Sequence, residues 1–204
     1  MHRITGMVRK THTTFGRLLM SNYRRANTKG GTYFFTVVTY RRQRFLCDEM
    51  VRNVLHDGIK ATQATRPFTI DAWVLLPDHL HTIWTLPPDD ADFGIRWAMI
   101  KRFVTKQCAP ELKRDTWMNP SKLKRKESTL WQRRFWEHQI RDESDYQKHM
   151  DYLHYNPVKH GLVEKVADWP YSTFHRYVRQ GIYGIDWASV NNEQELKGFG
   201  ESDQ

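Results

Sequence analysis

The chain is expected to form an α+β domain: one antiparallel sheet with helices on one face, and a further helix near the C-terminal end. Three observations predict this. Runs rich in β-branched and aromatic residues at 32–40, 68–76, 79–86 and 130–140 have the composition of strands. Apolar residues recur at helical spacing over 49–65, from 93 onward, and again over 143–156. The order is therefore strand–helix–strand–strand–helix–strand–helix.

Gly30-Gly31 closes a basic leading segment, and "TYFFTVVTY" (32–40) is the pattern of a strand buried on both faces. Val51, Leu55, Ile59 and Thr62 share one helical stripe. "FTIDAWVLL" (68–76) is the second strand, Pro77-Asp78 a tight turn, and "HLHTIWTL" (79–86) the return arm of a hairpin. After the loop "PPDDAD", Phe93, Trp97, Ile100 and Val104 define a second amphipathic helix, with Arg96, Lys101, Arg102 and Lys106 off its apolar stripe. Residues 109–130 read as a polar, basic loop, and "LWQRRFWEHQI" (130–140) as the fourth strand. Asp142 is a good N-cap for a third helix over 143–156, which Pro157 is expected to end. "DWPYSTF" (168–174) reads as a turn and a short final helix. A hairpin flanked by two helical crossovers is the split βαβ, ferredoxin-like order, and the third helix is an addition to it.

The 204 residues suit one domain, expected over 21–184, with a basic arm at 1–20 outside the fold and an acidic tail at 185–204. A 39% hydrophobic and 13% aromatic content argues against disorder. The net charge of +9 favours a polyanionic partner, most commonly nucleic acid. That charge is uneven: residues 96–141 carry thirteen Lys/Arg against four acids, whereas 185–204 carry one Lys against five acids. The basic run is interleaved with aromatics, which suits a single-strand groove where phosphates are neutralised and bases stack, although most of those rings could equally be core. Cys47 and Cys108 form no metal-binding spacing and read as free thiols of a reducing cytoplasm. No stretch approaches the apolar length of a membrane span.

His79 and His81 alternate with Leu80, so both imidazoles face one side of a strand, about 7 Å apart along it. Two imidazoles at that spacing can share a divalent metal, and two ordinary histidines near a turn would look the same. The third helix carries an apolar stripe, Tyr146, Met150 and Leu153, and a polar one, Asp145, His149, Tyr152 and Asn156. The polar stripe is either a solvated face or a set of site residues.

His79-Leu80-His81 followed by Tyr152 and Asn156 resembles the HUH single-tyrosine transposases, and more narrowly the REP-associated tyrosine transposases. "SNYRRANTKGGTYFFTVVTYRR", "AWVLLPDHLHTIWTLP", "FWEHQIRDESDY", "YLHYNPVKHGLV" and "DWPYSTF" are similar to that family over roughly residues 21–180. The resemblance implies a single-strand DNA endonuclease that also rejoins strands, using Mg²⁺ or Mn²⁺. It makes Tyr152 the nucleophile that forms a 5′-phosphotyrosine, and His79 and His81 the metal ligands. Asn156 stands where related transposases place a third ligand, often Gln, and its reach is shorter. Tyr155, on a neighbouring helix face, is a rival nucleophile. The implied substrates are repetitive extragenic palindromes, imperfect hairpins beside a short unpaired tetranucleotide, in the nucleoid of the cytoplasm. Arg96, Lys101, Arg102, Lys106, Lys122, Lys124, Arg125 and Lys126 are candidates for backbone contacts. The resemblance is compatible with a monomer or a homodimer, and a non-catalytic hairpin-binding module of the same fold is the main rival reading.

Overall fold

The computed structural model describes residues 28–188, so the arm at 1–20 and the tail beyond residue 188 lie outside the described residues. Four strands, β1 (Thr32–Val38), β2 (Thr69–Leu75), β3 (His79–Thr85) and β4 (Trp136–Gln139), form one sheet in the order β2-β3-β1-β4, antiparallel throughout. Helix α1 (Glu49–Thr65) connects β1 to β2, and α2 (Phe93–Leu112) leads from β3 toward β4. This is the ferredoxin-like order expected from the hairpin and its two crossovers.

Alternation along each strand divides the core in two. Tyr33, Phe35, Val37, Leu75, Leu80 and Trp84 pack with Val51, Leu55 and Ile59 of α1 and with Phe93, Trp97, Ile100 and Val104 of α2. Here Trp84 stacks on Trp97 with ring centroids 4.2 Å apart. The opposite face carries Phe34, Ala72, Val74 and Ile83, covered by Met150, Tyr152 and Leu153 of α4 (Glu143–Lys159). The short α5 (Phe174–Arg179) completes that side through Phe174 and Tyr177. Helices thus cover both faces: the crossover pair on one, the added C-terminal helix on the other. This explains why β1 and β3 are buried at successive positions. Trp187, beyond the expected domain boundary at Gly184, packs on Tyr183 with centroids 4.8 Å apart.

Three local expectations change. The fourth strand is confined to Trp136–Gln139; upstream, Trp131 makes only an isolated bridge to Thr39. The stretch 109–130 is not all loop, because α2 continues through Pro110 to Leu112 and a short helix, α3 (Pro120–Lys124), follows, capped by Asn119. Pro157 does not end α4, which runs to Lys159. A proline in the last turn removes one helical hydrogen bond without forbidding the turn itself. The stop comes at Gly161, whose φ of +63° suits glycine, with the Leu162 N–H closing on the Pro157 carbonyl and the His160 N–H on Asn156. That extra turn carries Lys159 toward Tyr152.

Candidate active site

The polar stripe of α4 is buried. Asp145, His149, Tyr152 and Asn156 are all at most 4% exposed, pressed against the sheet face that carries His79 and His81. Both histidines are buried too. The ring of His81 lies 5.0 Å from that of His79 and 5.3 Å from that of Tyr152. A β3 histidine pair and an α4 tyrosine therefore meet over one patch of sheet, as the motif predicts.

Each imidazole is oriented from behind. His79 Nδ1 lies 2.8 Å from the Asp78 carboxylate. Burial opposes the charge of Asp78, but its hydrogen bond to His79 and the nearby Arg42 hold the carboxyl below its ordinary range. An ionised carboxylate only accepts, so Nδ1 is the donor of this pair and Nε2 is the nitrogen turned toward the site. His81 Nδ1 lies 2.8 Å from the Thr36 hydroxyl on the neighbouring strand, its direct cross-strand partner. Burial pushes His81 well below the usual histidine range, reinforced by the neighbouring His79 and His160 and opposed by the Asn156 amide beside it. It is therefore neutral, as a metal ligand must be. His81 Nε2 and Asn156 Oδ1 are buried polar atoms without a hydrogen-bond partner among the described residues. Buried polar atoms ordinarily have partners. Two imidazoles and an amide oxygen of this kind fit a divalent cation of the Mg²⁺ or Mn²⁺ type, while imidazole would also accept zinc.

The Tyr152 hydroxyl receives a hydrogen bond from Lys159 Nζ at 3.3 Å, and the same ammonium lies 4.8 Å from the ring centroid. His160 brings a third imidazole, 5.0 Å from the His79 ring. Tyr155 is half-buried against the α4-side core, and Tyr152 is the tyrosine in ring contact with His81 among the described residues. Asp78, Thr36, Lys159 and His160 were missed in the sequence. Asp78 directly precedes the histidine pair, and His160 lies four residues after Asn156. Both signals were legible, but the turn and the expected end of the helix concealed them.

A second cluster lies beside the first: potential ligand atoms of His138, Asp145 and His149 all fall within 4.8 Å of one another. Arg141 Nε and His138 Nε2 both contact Asp145 Oδ2, at 3.0 and 2.8 Å. Burial opposes the Asp145 charge, and these hydrogen bonds overcome it, holding the carboxyl far below its ordinary range. With a guanidinium already on the carboxylate, this cluster is a clasp between β4 and α4.

The predicted DNA contacts divide. Arg102, Lys106, Lys124, Arg125 and Lys126 are exposed. Lys101 donates to the Gln132 carbonyl at 3.0 Å. Two assignments need correction. Arg96 is fully buried, bound to both Asp90 oxygens at 3.0 and 2.7 Å and to the Pro67 carbonyl at 2.8 Å, so its charge ties α2 to the preceding loops. Lys122 is also buried, 3.0 Å from the Ser128 carbonyl and 3.8 Å above the Tyr40 ring. The exposed basic groups that were missed are Arg41, Arg133 and Arg134, which line an open cleft of about 550 Å³ with Tyr40 and Lys122. Arg41 and Arg42 adopt left-handed φ of 56° and 52°, strained for residues with side chains. This turn follows β1 directly, at the end of the sheet where Val38 pairs with His79.

No helix among the described residues is long and apolar enough to cross a membrane. Cys47 and Cys108 are free thiols, and burial pushes the Cys47 thiol up to about 11.

A scan against models of protein families finds no match. Individual relatives do match. The chain is 48% identical over 169 residues to the REP-associated tyrosine transposase of Escherichia coli K12, covering 83% of this chain and 92% of that one. It is 46% identical over 179 residues to a Haemophilus influenzae protein described in the same terms, covering 88% and 99%. Among solved structures, a REP-associated tyrosine transposase bound to a REP hairpin superposes with a TM-score of 0.70 at 45% identity, over 85% of this chain and 96% of that one. With identity of this order over nearly the whole length of its relatives, and with the HUH pair and a tyrosine meeting on one face of the sheet, the chain belongs to the REP-associated tyrosine transposase family of HUH-type transposases.

Proposed function

We propose that this protein cuts and rejoins single-stranded DNA beside hairpins of the repetitive extragenic palindrome type, with Tyr152 as nucleophile. The observation that carries this reading is the Tyr152 ring lying 5.3 Å from His81 in a buried polar site on one sheet face. The relative solved with a REP hairpin supports the choice of substrate. His79, His81 and Asn156 would hold a divalent cation. When bound, that cation supplies Lewis-acid polarisation of the scissile phosphate.

The remaining chemistry belongs to the chain. The Tyr152 oxygen attacks phosphorus and forms a new O–P bond. The bond from phosphorus to the 3′ oxygen breaks, and the proton lost by the phenol is balanced by the one gained at the departing 3′-hydroxyl. Phenols ionise near pH 10, so a group that offsets phenolate charge at neutral pH is needed. The ammonium of Lys159 is within hydrogen-bond reach of the hydroxyl and fits that role. Asp78 and Thr36 fix the two imidazoles, so the phosphate meets a set geometry. The phosphotyrosine preserves the energy of the cut linkage, and rejoining reverses the step. The exposed Arg102, Lys106, Lys124, Arg125 and Lys126, with Arg41, Arg133 and Arg134, are proposed backbone contacts.

The test is covalent trapping. Labelled hairpin DNA with an unpaired flank is incubated with protein and Mn²⁺ or Mg²⁺, then run on a denaturing gel. The expected result is a protein–DNA adduct lost with Tyr152→Phe, His79→Ala or chelator and kept with Tyr155→Phe. Cleavage without an adduct would replace the tyrosine mechanism with attack by water. Binding without cleavage would leave a hairpin-binding module.

A further inference from the structure

We propose that Trp136 is a stacking platform for one unpaired base of the strand whose phosphate is held at His79 and His81. The proposal rests on the single-strand reading above and names a residue that positions the substrate.

Sheet register places the residue. Thr36 pairs with His81 on one side and with Trp136 on the other. The three therefore form one row across the sheet, with side chains on the same face. Two strand spacings separate Trp136 from His81, roughly 10 Å between backbones. That is close enough for a base neighbouring the scissile phosphate.

Exposure and support then single the ring out. Trp136 is 40% exposed, whereas Trp84, Trp97 and Trp131 are buried. It lies on β4, the edge strand of the sheet among the described residues. Its inner side is braced: the ring is parallel to His138 within 8° at 5.9 Å, and His138 in turn stacks on buried His149 at 4.4 Å. The edge of Phe34 closes the flank at 5.8 Å. The inner end of this column is fixed through Asp145, which His138 contacts at 2.8 Å. An aromatic face held rigid from behind and open in front binds a planar π system with little loss of side-chain freedom. Arg134 is exposed just upstream and fits the charge that a nucleotide's phosphate requires, while the neighbouring Arg133 is paired with Glu127. An unpaired nucleobase combines both features.

The test is an abasic scan with the full-length protein. The probe is a synthetic imperfect DNA hairpin with a four-nucleotide unpaired flank, each flank position replaced in turn by an abasic nucleotide. For the unmodified protein, one abasic position is expected to weaken binding by roughly tenfold or more. Trp136→Leu is expected to weaken binding of the intact probe to a similar degree and to be indifferent to that same abasic position. If Trp136→Leu keeps the abasic penalty at every position, the base stacks elsewhere and the proposal fails. A wild-type covalent adduct in that case would leave the nuclease reading standing. If the unmodified protein neither binds nor cuts the probe, both readings fall. Should Trp136→Leu not fold, the unmodified protein decides: photocrosslinking with 5-iodouracil in the flank is expected to label Trp136, and labelling confined to other residues overturns the proposal.

Discussion

The two faces of the sheet are built from the same four strands and differ in what they bury. The face under α1 and α2 buries apolar and aromatic side chains such as Phe35, Trp84 and Trp97. The face under α4 buries His79, His81, Asp145, His149, Tyr152 and Asn156 beside its apolar residues. Both faces bury polar atoms without a hydrogen-bond partner among the described residues: the indole nitrogens of Trp84 and Trp97 on the first, His81 Nε2 and Asn156 Oδ1 on the second. The difference is in kind: the first set are single N–H groups on large apolar rings, whereas the second are groups of the type that bind a cation.

Substitution should separate the faces. The largest expected effect is on activity from the α4 side. His81→Leu removes a proposed ligand and replaces a buried, partly unsatisfied imidazole by an apolar group of similar size. Adduct formation is expected to fall on the order of a thousandfold or more, while the thermal midpoint stays within a few degrees or rises. A large loss of stability would break the comparison. Trp84→Ala on the other face should do the reverse, costing about 3–5 kcal/mol in denaturant unfolding. Adduct yield per folded molecule should change little.

The clasp lies between these extremes. Asp145→Asn removes the charge that His138 and Arg141 bind, and an expected loss of about 2–3 kcal/mol is measurable by urea unfolding. The sign of its pH dependence follows from its depressed carboxyl. The stabilisation is present above the unfolded-state value near 4 and is lost as pH falls from there through the folded value. Wild type should therefore lose stability more steeply than Asp145→Asn below about pH 4. The smallest effect is expected at the surface. Arg102→Ala should leave stability unchanged and reduce the slope of log affinity against log salt by about 1. An unchanged slope would remove Arg102 from the DNA interface.

Much of this was legible. The β-branched runs and the helical stripes located every strand and the three long helices, because local pattern and tertiary burial agree there. Agreement failed where tertiary context decides. The polar stripe of α4 could be read as a solvated face, since spacing does not reveal that a second face of the sheet needs covering. Arg96 looked like a surface cation because it lies off the apolar stripe, and only the fold brings Asp90 and the Pro67 carbonyl to it. Pro157 looked like a stop, whereas Gly161 ends the helix. His79, His81 and Tyr152 were singled out by their motif, but Thr36, which aims the His81 imidazole, became visible only with strand register.

The meeting of β3 and α4 has a consequence for stoichiometry. Histidine pair, amide and tyrosine meet within one polypeptide, so each copy carries all of the proposed site residues. Mixing a His79→Ala protein with a Tyr152→Phe protein is then expected to restore nothing, and recovery of adduct would show that two copies share a site. Adduct formation would be first order in protein, and dilution would lower the number of active molecules without disabling any of them.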